Sequence, residues 1–273
     1  MPRAMWKGSI SFGLVSIPVG VYPATEEKTL RFHQLHAKDH GRIRYKRFCT
    51  IEDVEVPYEE IVKGYEYEKG KYVVLTDEDL AAVPVESTRT IDILQFVDLE
   101  EIDPIYFDRP YYLVPEEPGI KAYALLRQAM EQDGRVALAK VTFRDKEHLC
   151  TLRVKDGAFV LETMRWPDEI RPAEFEELER EVSVRPQEVQ MAKSLIDNLT
   201  GPFRPEEYRD EYREALLEVI ERKVRGEEIE VVPEPEPTKV VDLMEALRAS
   251  VEATKKKVAP AKKAGGRKKA AAS

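Results

Sequence analysis

What most limits the folds open to this chain is a change of period part-way along it. Up to about residue 166, short runs rich in β-branched and aromatic residues recur between turn residues; beyond it, apolar positions fall three and four apart. SISFG, VSIPVGVY, RIRYKRF, YVVL, TIDILQFV and PYYLVP read as strands, with Pro18 and Pro23 placing the second run at an edge or a bend. VALAKVTF, HLCTLRV and AFVLETM follow, joined by turns at 145–146 and at Asp156-Gly157. Between these groups Ile120, Tyr123, Leu126 or Leu125, Ala129 and Met130 share one helical face, and Gly134 is placed to cap the helix C-terminus. So many strands around one helix predict a mainly β architecture, a barrel or a sandwich, rather than a parallel α/β sheet.

The helical part begins with 188–199 and 205–225, where Tyr208, Tyr212, Leu216, Val219 and Ile220 form a stripe suited to docking as an arm. Glu218 with Arg222 and Glu221 with Arg225 support that helix at i,i+4 spacing. PEPEPT at 233–238 sustains neither helix nor central strand and predicts an extended spacer. After it, Val240, Leu243, Met244, Leu247 and Val251 recur at spacings of three and four, predicting an amphipathic helix over 239–254. A helix of about 15 residues is marginal alone in water, so this one needs a groove, on this body or on another protein. Residues 255–273 show no apolar periodicity and are expected to be disordered. The expected organisation is a core over 1–232, a linker, the partner-binding helix and a basic tail.

A formal net charge of -9 argues against nucleic acid as a partner, but opposite charges are segregated along the chain. From residue 31 to 47 stand Arg31, Lys38, Arg42, Arg44, Lys46 and Arg47 against the single acid Asp39, whereas 168–236 is crowded with glutamate. Strand alternation in RIRYKRF would put Arg42, Arg44 and Lys46 on one face about 7 Å apart, a spacing that follows a phosphate backbone without reading bases. A solvated edge strand made basic against aggregation would carry the same pattern. After Val251 come Lys255, Lys256, Lys257, Lys262, Lys263, Arg267, Lys268 and Lys269, either a solubilising tail or a flexible segment that binds phosphates by releasing counterions.

His33, His36 and His40 bring together three of the four histidines, with Asp39 and Cys49 nearby. Structural zinc commonly needs four ligands with closely paired cysteines or histidines, and no C-x-x-C pair exists here, so no metal is expected. No phosphate-loop, dinucleotide, nucleophile-elbow or H-E-x-x-H motif occurs, and catalysis is unsupported. Thr76-Asp77-Glu78-Asp79-Leu80 reads as a capped helix start. The two distant cysteines, Cys49 and Cys150, suit a reducing cytoplasm, and no apolar run approaches the roughly 20 residues that span a bilayer. Two rival readings are a metal-dependent nuclease built on His33, His36, Asp39 and His40, and a protein-binding scaffold whose acidic helices are the working surface.

The stretch Met5-Trp6-Lys7-Gly8-Ser9-Ile10-Ser11-Phe12-Gly13-Leu14-Val15, with Ile17-Pro18 after it, resembles the opening of bacterial Ku proteins. In order, Phe32-His33-Gln34-Leu35-His36, Gly41-Arg42-Ile43-Arg44-Tyr45, Ile61-Val62-Lys63-Gly64-Tyr65-Glu66-Tyr67, Tyr72-Val73-Val74-Leu75-Thr76, residues 107–113 and residues 240–247 extend the resemblance to about residue 250. It implies a β-barrel core with a bridge of strands forming half of a dimeric ring, a helical C-terminal arm and a basic tail. It also implies homodimers that thread onto double-stranded DNA ends in non-homologous end joining, recruit an ATP-dependent DNA ligase, and use no cofactor. On this sequence the resemblance places Arg42, Arg44, Lys46 and Arg47 where the bridge begins, with Lys38 and Lys63 flanking. It places Val240, Leu243, Met244, Leu247 and Val251 in the ligase-contacting segment. Many relatives carry C-x-x-C where this chain has Cys49-Thr50-Ile51-Glu52, a departure that puts zinc in doubt here.

Overall fold

Trp6–Phe12 (β1) and Val15–Pro23 (β2) fold back on each other through a tight turn at Gly13, whose φ of +58° lies in the left-handed region that glycine adopts without penalty. They open a closed seven-stranded barrel in the computed structural model, which describes residues 3–83, 89–143, 146–227 and 243–258. Outside the barrel, Lys63–Glu68 (β3) and Lys71–Leu75 (β4) form a separate hairpin, followed by a short helix, Asp77–Ala81 (α1). Thr90–Val97 (β5), Phe107–Pro115 (β6), the helix Ile120–Asp133 (α2), Val136–Phe143 (β7), Lys146–Lys155 (β8) and Ala158–Met164 (β9) complete the body. Around the barrel the order is β1-β2-β6-β9-β8-β7-β5.

A closed ring of seven strands cannot alternate direction throughout, so one seam must be parallel. That seam joins β1 to β5, with Ser9 opposite Thr90, Ile10 opposite Ile91 and Ser11 opposite Asp92. Its position follows from the chain path. β2 ends beside the start of β1, with Val21 opposite Trp6, and the chain comes back at Thr90 next to Ser9. The chain therefore leaves the barrel after Pro23 and re-enters it at Thr90 at one rim, and the described residues in between form an arm. Ser9 N–H donates to the Arg89 carbonyl at 2.9 Å, and a Cβ at Gly8 would stand 2.1 Å from that same oxygen. Gly8 is the residue that lets the returning stem pack against β1.

The two prolines of β2 sit inside a closed wall rather than at its edge. β1 pairs with residues 15–21 and β6 with residues 19–23, so Pro18 and Pro23 fall where a single neighbour runs alongside. Each spares a position at which a missing N–H would break a ladder.

Alternation fills the interior: Ala137, Ala139, Val141 and Phe143 of β7 are buried while Leu138, Lys140 and Thr142 between them are half-exposed. Ile10, Val19, Val21, Ile91, Leu113, Leu152, Phe159 and Leu161 complete the core, and α2 contributes Tyr123, Leu126 and Met130. The α2 helix ends at Gly134, whose φ is +76° and whose N–H reaches the Met130 carbonyl at 2.9 Å. The Tyr123 hydroxyl donates to the Leu113 carbonyl and accepts from the Phe159 N–H, both at 2.8 Å, so it bridges paired positions of β6 and β9. Near the other end of that pair, where β6 bulges between Phe107 and Pro110, the Thr163 hydroxyl accepts from the Arg109 N–H at 3.1 Å. Arg153 and Glu162 join β8 to β9 by two parallel hydrogen bonds of 2.9 and 2.8 Å.

The chain divides into two compact units, Met1–Ala173 and Glu174–Ser273, a boundary well before the 233–238 spacer. The second unit holds Pro186–Leu199 (α3), Glu211–Val224 (α4) and Leu243–Val258 (α5). The helix expected over 205–225 is shorter, because Pro205–Glu207 forms a separate 3-10 turn and the Asp210 carboxylate starts α4 by accepting the Arg213 N–H at 2.9 Å. Tyr208 thus lies outside the helix whose stripe it is expected to join. α5 continues past residue 254, so the backbone of Lys255, Lys256 and Lys257 is helical rather than part of an irregular tail. The 233–238 spacer, Val240, Lys262, Lys263, Arg267, Lys268 and Lys269 lie outside the described residues. No described helix is long and apolar enough to cross a membrane.

Candidate nucleic-acid interface

The cation-rich stretch lies in the arm, and its local structure differs from the strand expected of RIRYKRF. A strand needs a partner along its length, whereas this segment reverses twice. In the first reversal Leu35 and Arg42 form an isolated antiparallel bridge, with Ile43 N–H donating to Gln34 and His36 N–H to Gly41. In the second, Phe48 bridges Glu55, Cys49 N–H donates to Val54, and Val56 N–H donates to Arg47. Residues 43–47 are the span between two small hairpins, and strict alternation does not fix the direction of Arg42, Arg44 and Lys46.

The first turn is held by its own side chains. The Asp39 carboxylate accepts the Gly41 N–H at 2.9 Å and lies 3.1 Å from His36 Nδ1, while His40 takes a left-handed φ of +56°. The Gly41 amide, and after it His36, hold the Asp39 carboxyl below the usual carboxylate range. Across this hairpin the Tyr45 hydroxyl donates to Gln34. Asp39, the one acid among the cations of 31–47, is thus engaged locally.

Arg42, Arg44, Lys46, Arg47, Lys38 and Lys63 are all exposed. Their electrostatic situations differ. Lys46 Nζ lies 2.6 Å from Glu55, and Lys63 Nζ 3.7 Å from Asp77. The Arg47 guanidinium stands 5.3 Å from the centre of the Tyr58 ring, a cation–π contact that keeps the charge while fixing the side chain. Among the described residues, no carboxylate pairs with Lys38, Arg42 or Arg44 within 4.0 Å, so their charge is directly available to a phosphate.

The arm is as exposed in its apolar groups as in its charges. No residue from 25 to 83 is buried, and Phe32, Tyr45, Phe48, Ile51, Tyr58, Tyr65, Tyr67 and Tyr72 are all largely solvent-accessible. None of these large apolar side chains is withdrawn into a core of this chain. In the β3–β4 hairpin Tyr65 pairs with Val73 and Glu66 with Tyr72, and of its two strands only the one containing YVVL is expected from the sequence pattern. The signal that marks its first strand is Gly64-Tyr65-Glu66-Tyr67 before the Lys69-Gly70 turn; Gly70 has a φ of +79°.

The metal reading finds no assembled centre: among the described residues no three His, Cys, Asp or Glu side chains come together to hold an ion. The shifts that burial governs are found in the barrel. Burial pushes the Cys150 thiol far up, and its Sγ lies 3.4 Å from the Ala139 carbonyl. Burial also raises Tyr123, and burial followed by Lys146 lowers His148, against the opposing pull of Asp108 and Glu169.

Comparison with known proteins agrees with this architecture. A family model described as the Ku70/Ku80 beta-barrel domain matches residues 11–191. A non-homologous end joining protein Ku of Frankia casuarinae is 53% identical over 254 residues, covering 93% of this chain and 64% of the relative. Proteins of the same name from Symbiobacterium thermophilum and Desulfitobacterium hafniense are each 54% identical, with 92% and 93% of this chain aligned to 63% and 89% of theirs. The chain thus spans less than two thirds of the length of the first two relatives and most of the third.

Proposed function

The chain belongs to the Ku family, and we propose that it binds the ends of double-stranded DNA without reading sequence, as a homodimeric ring, in the non-homologous end joining of double-strand breaks. The observation that carries this reading is the arm: a segment none of whose described residues from 25 to 83 is buried, which leaves and re-enters one rim of the barrel, bearing exposed Arg42 and Arg44 beside uncovered aromatics. A second copy offering the same surface covers the aromatics and closes a channel, since a twofold interface uses one patch twice. Cations around such a channel neutralise phosphates from several sides and give affinity without base contacts. The role is non-catalytic. Lys38, Arg47 and Lys63 flank the channel, and Lys46 joins them by exchanging Glu55 for a phosphate.

Beyond the barrel, α5, with Leu243, Met244, Leu247 and Val251 on one stripe and Val240 ahead of it, is the segment that an ATP-dependent DNA ligase contacts. Lys255, Lys256, Lys257, Lys262, Lys263, Arg267, Lys268 and Lys269 add weak, salt-sensitive contacts to DNA.

The test compares a linear duplex with the same duplex covalently closed into a circle, at moderate salt. A threaded ring binds the linear form and fails on the circle, because entry requires a terminus. Equal binding to both overturns the ring.

A further inference from the structure

The helix assigned to the ligase is already engaged within its own chain. In the Glu174–Ser273 unit α5 packs against α3. Along α5, Met244, Leu247 and Val251 are half-buried, while Ala246, Arg248, Ala249 and Glu252 are exposed. Along α3, Met191, Ala192 and Leu195 are half-buried, at the three and four spacing of a single helical stripe, while Val189 and Ile196 are exposed. Each helix therefore turns its apolar stripe to the other, and on α5 that stripe is the one a partner would read.

We propose that α3 is an intrachain competitor for α5: it covers the ligase-reading stripe of the unpartnered protein, and the ligase captures α5 by displacing α3. The inference rests on the reading of α5 as the ligase-contacting helix, and adds the state from which recruitment starts. The contact is built to be exchanged. α3 contains no buried residue, and no described side chain of α5 is buried, so the pair lacks the dry, close-packed centre of a permanent interface. What keeps it closed is connection. Residues 228–242 join α5 to the body that carries α3, and a short covalent link between two binding elements sets an effective concentration on the order of millimolar. A weak contact is thereby closed most of the time, yet yields to a partner whose intrinsic affinity for α5 is higher. The partner's apparent affinity is its intrinsic one multiplied by the fraction of open chains. The same cover keeps a stripe of Met, Leu and Val out of water until it is needed.

The test uses the full chain and the purified ATP-dependent DNA ligase of the same genome, with affinity measured by calorimetry for the wild type, Leu195→Asp and Leu247→Asp. Leu195→Asp weakens the α3 side without touching α5. It should tighten ligase binding about tenfold, the gain expected if about a tenth of the unpartnered chains are open. It should also speed amide exchange across α5, a direct readout of release. Leu247→Asp should abolish binding. If Leu247→Asp abolishes binding while Leu195→Asp leaves it unchanged, the competitor is overturned and α5 remains the ligase helix. If Leu195→Asp weakens binding, α3 and α5 form one composite surface, which also overturns it. If Leu247→Asp binds normally, the reading of α5 itself fails and takes the competitor with it. Met191→Ser serves as a milder α3 variant wherever an aspartate disturbs the helix, with tightening again supporting the competitor and its absence overturning it.

Discussion

Arg44 and Lys46 stand two residues apart in the arm and face different competition for a phosphate. Arg44 has no acidic partner within reach among the described residues, whereas Lys46 already holds Glu55 at 2.6 Å and must release it. Arg44→Gln should therefore lower DNA affinity more than Lys46→Gln, and should flatten the dependence of log affinity on log salt by about 0.9 for each phosphate that is no longer neutralised. Filter binding of a linear duplex across a salt series measures both; an unchanged slope in Arg44→Gln would place that residue away from DNA. Tyr123 poses the opposite kind of question, one of stability. Its hydroxyl is the partner of both the Leu113 carbonyl and the Phe159 N–H, so Tyr123→Phe leaves two buried backbone groups short of a bond while keeping the ring against Phe159. The expected loss is about 1–3 kcal/mol of unfolding free energy, measured by urea titration, with DNA-end binding of the folded fraction unaltered. A smaller loss would mean that the two strands close directly onto each other once the hydroxyl is gone.

At the scale of elements, how legible each one is in the sequence tracks how much of its pattern comes from burial. Thr90–Val97 and Ala158–Met164 are barrel strands, the second buried at Phe159, Val160 and Leu161 in succession, and their short apolar, β-branched runs mark them at sight. The helix is as plain in Tyr123, Leu126 and Met130, which are buried, although Ile120, Leu125 and Ala129 are exposed, and Gly134 ends it where its backbone freedom requires. The arm carries no such record, because none of its described residues from 25 to 83 is buried. Arg42-Ile43-Arg44-Tyr45-Lys46 alternates as a strand does, yet the segment is the join between two hairpins, whose turns are set by Asp39 and by the left-handed backbone of His40 and Asp53. Lys63–Glu68 is hard to see for the same reason: its tyrosines alternate with glycine and glutamate, and neither face meets a core. The parallel β1–β5 seam that closes the barrel is not legible in the pattern, since it depends on where the arm returns. Gly8 hints at it only in hindsight, through the carbonyl of Arg89 that a Cβ would strike. Among the site residues, the cations are legible as charge but their partners are not; Glu55 and Asp77 are brought to Lys46 and Lys63 by turns.

For the whole molecule, the separation between a packed barrel and an uncovered arm yields a test of assembly that folding does not confound. The barrel core draws on residues before 24 and after 89, and no described residue of the arm contributes a buried side chain to it. Charges placed on the arm should therefore leave thermal unfolding of the barrel close to that of the wild type. Their effect should fall on association, where burying an unpaired carboxylate between two copies is strongly unfavourable. Tyr65 and Tyr72 lie on opposite faces of the β3–β4 hairpin, because Tyr65 pairs with Val73 and Glu66 with Tyr72. The double variant Tyr65→Glu/Tyr72→Glu thus charges both faces, whichever one a partner covers. Sedimentation should find the wild type as a dimer and this variant as a monomer with an intact melting transition. Binding to a linear duplex should fall with the dimer, because half of a channel neutralises phosphates from one side alone and holds nothing by enclosure. A variant that remains dimeric would place the interface outside the hairpin; one that turns monomeric yet binds DNA ends as tightly as the wild type would show that the grip resides in a single copy, and that the ring is not its source.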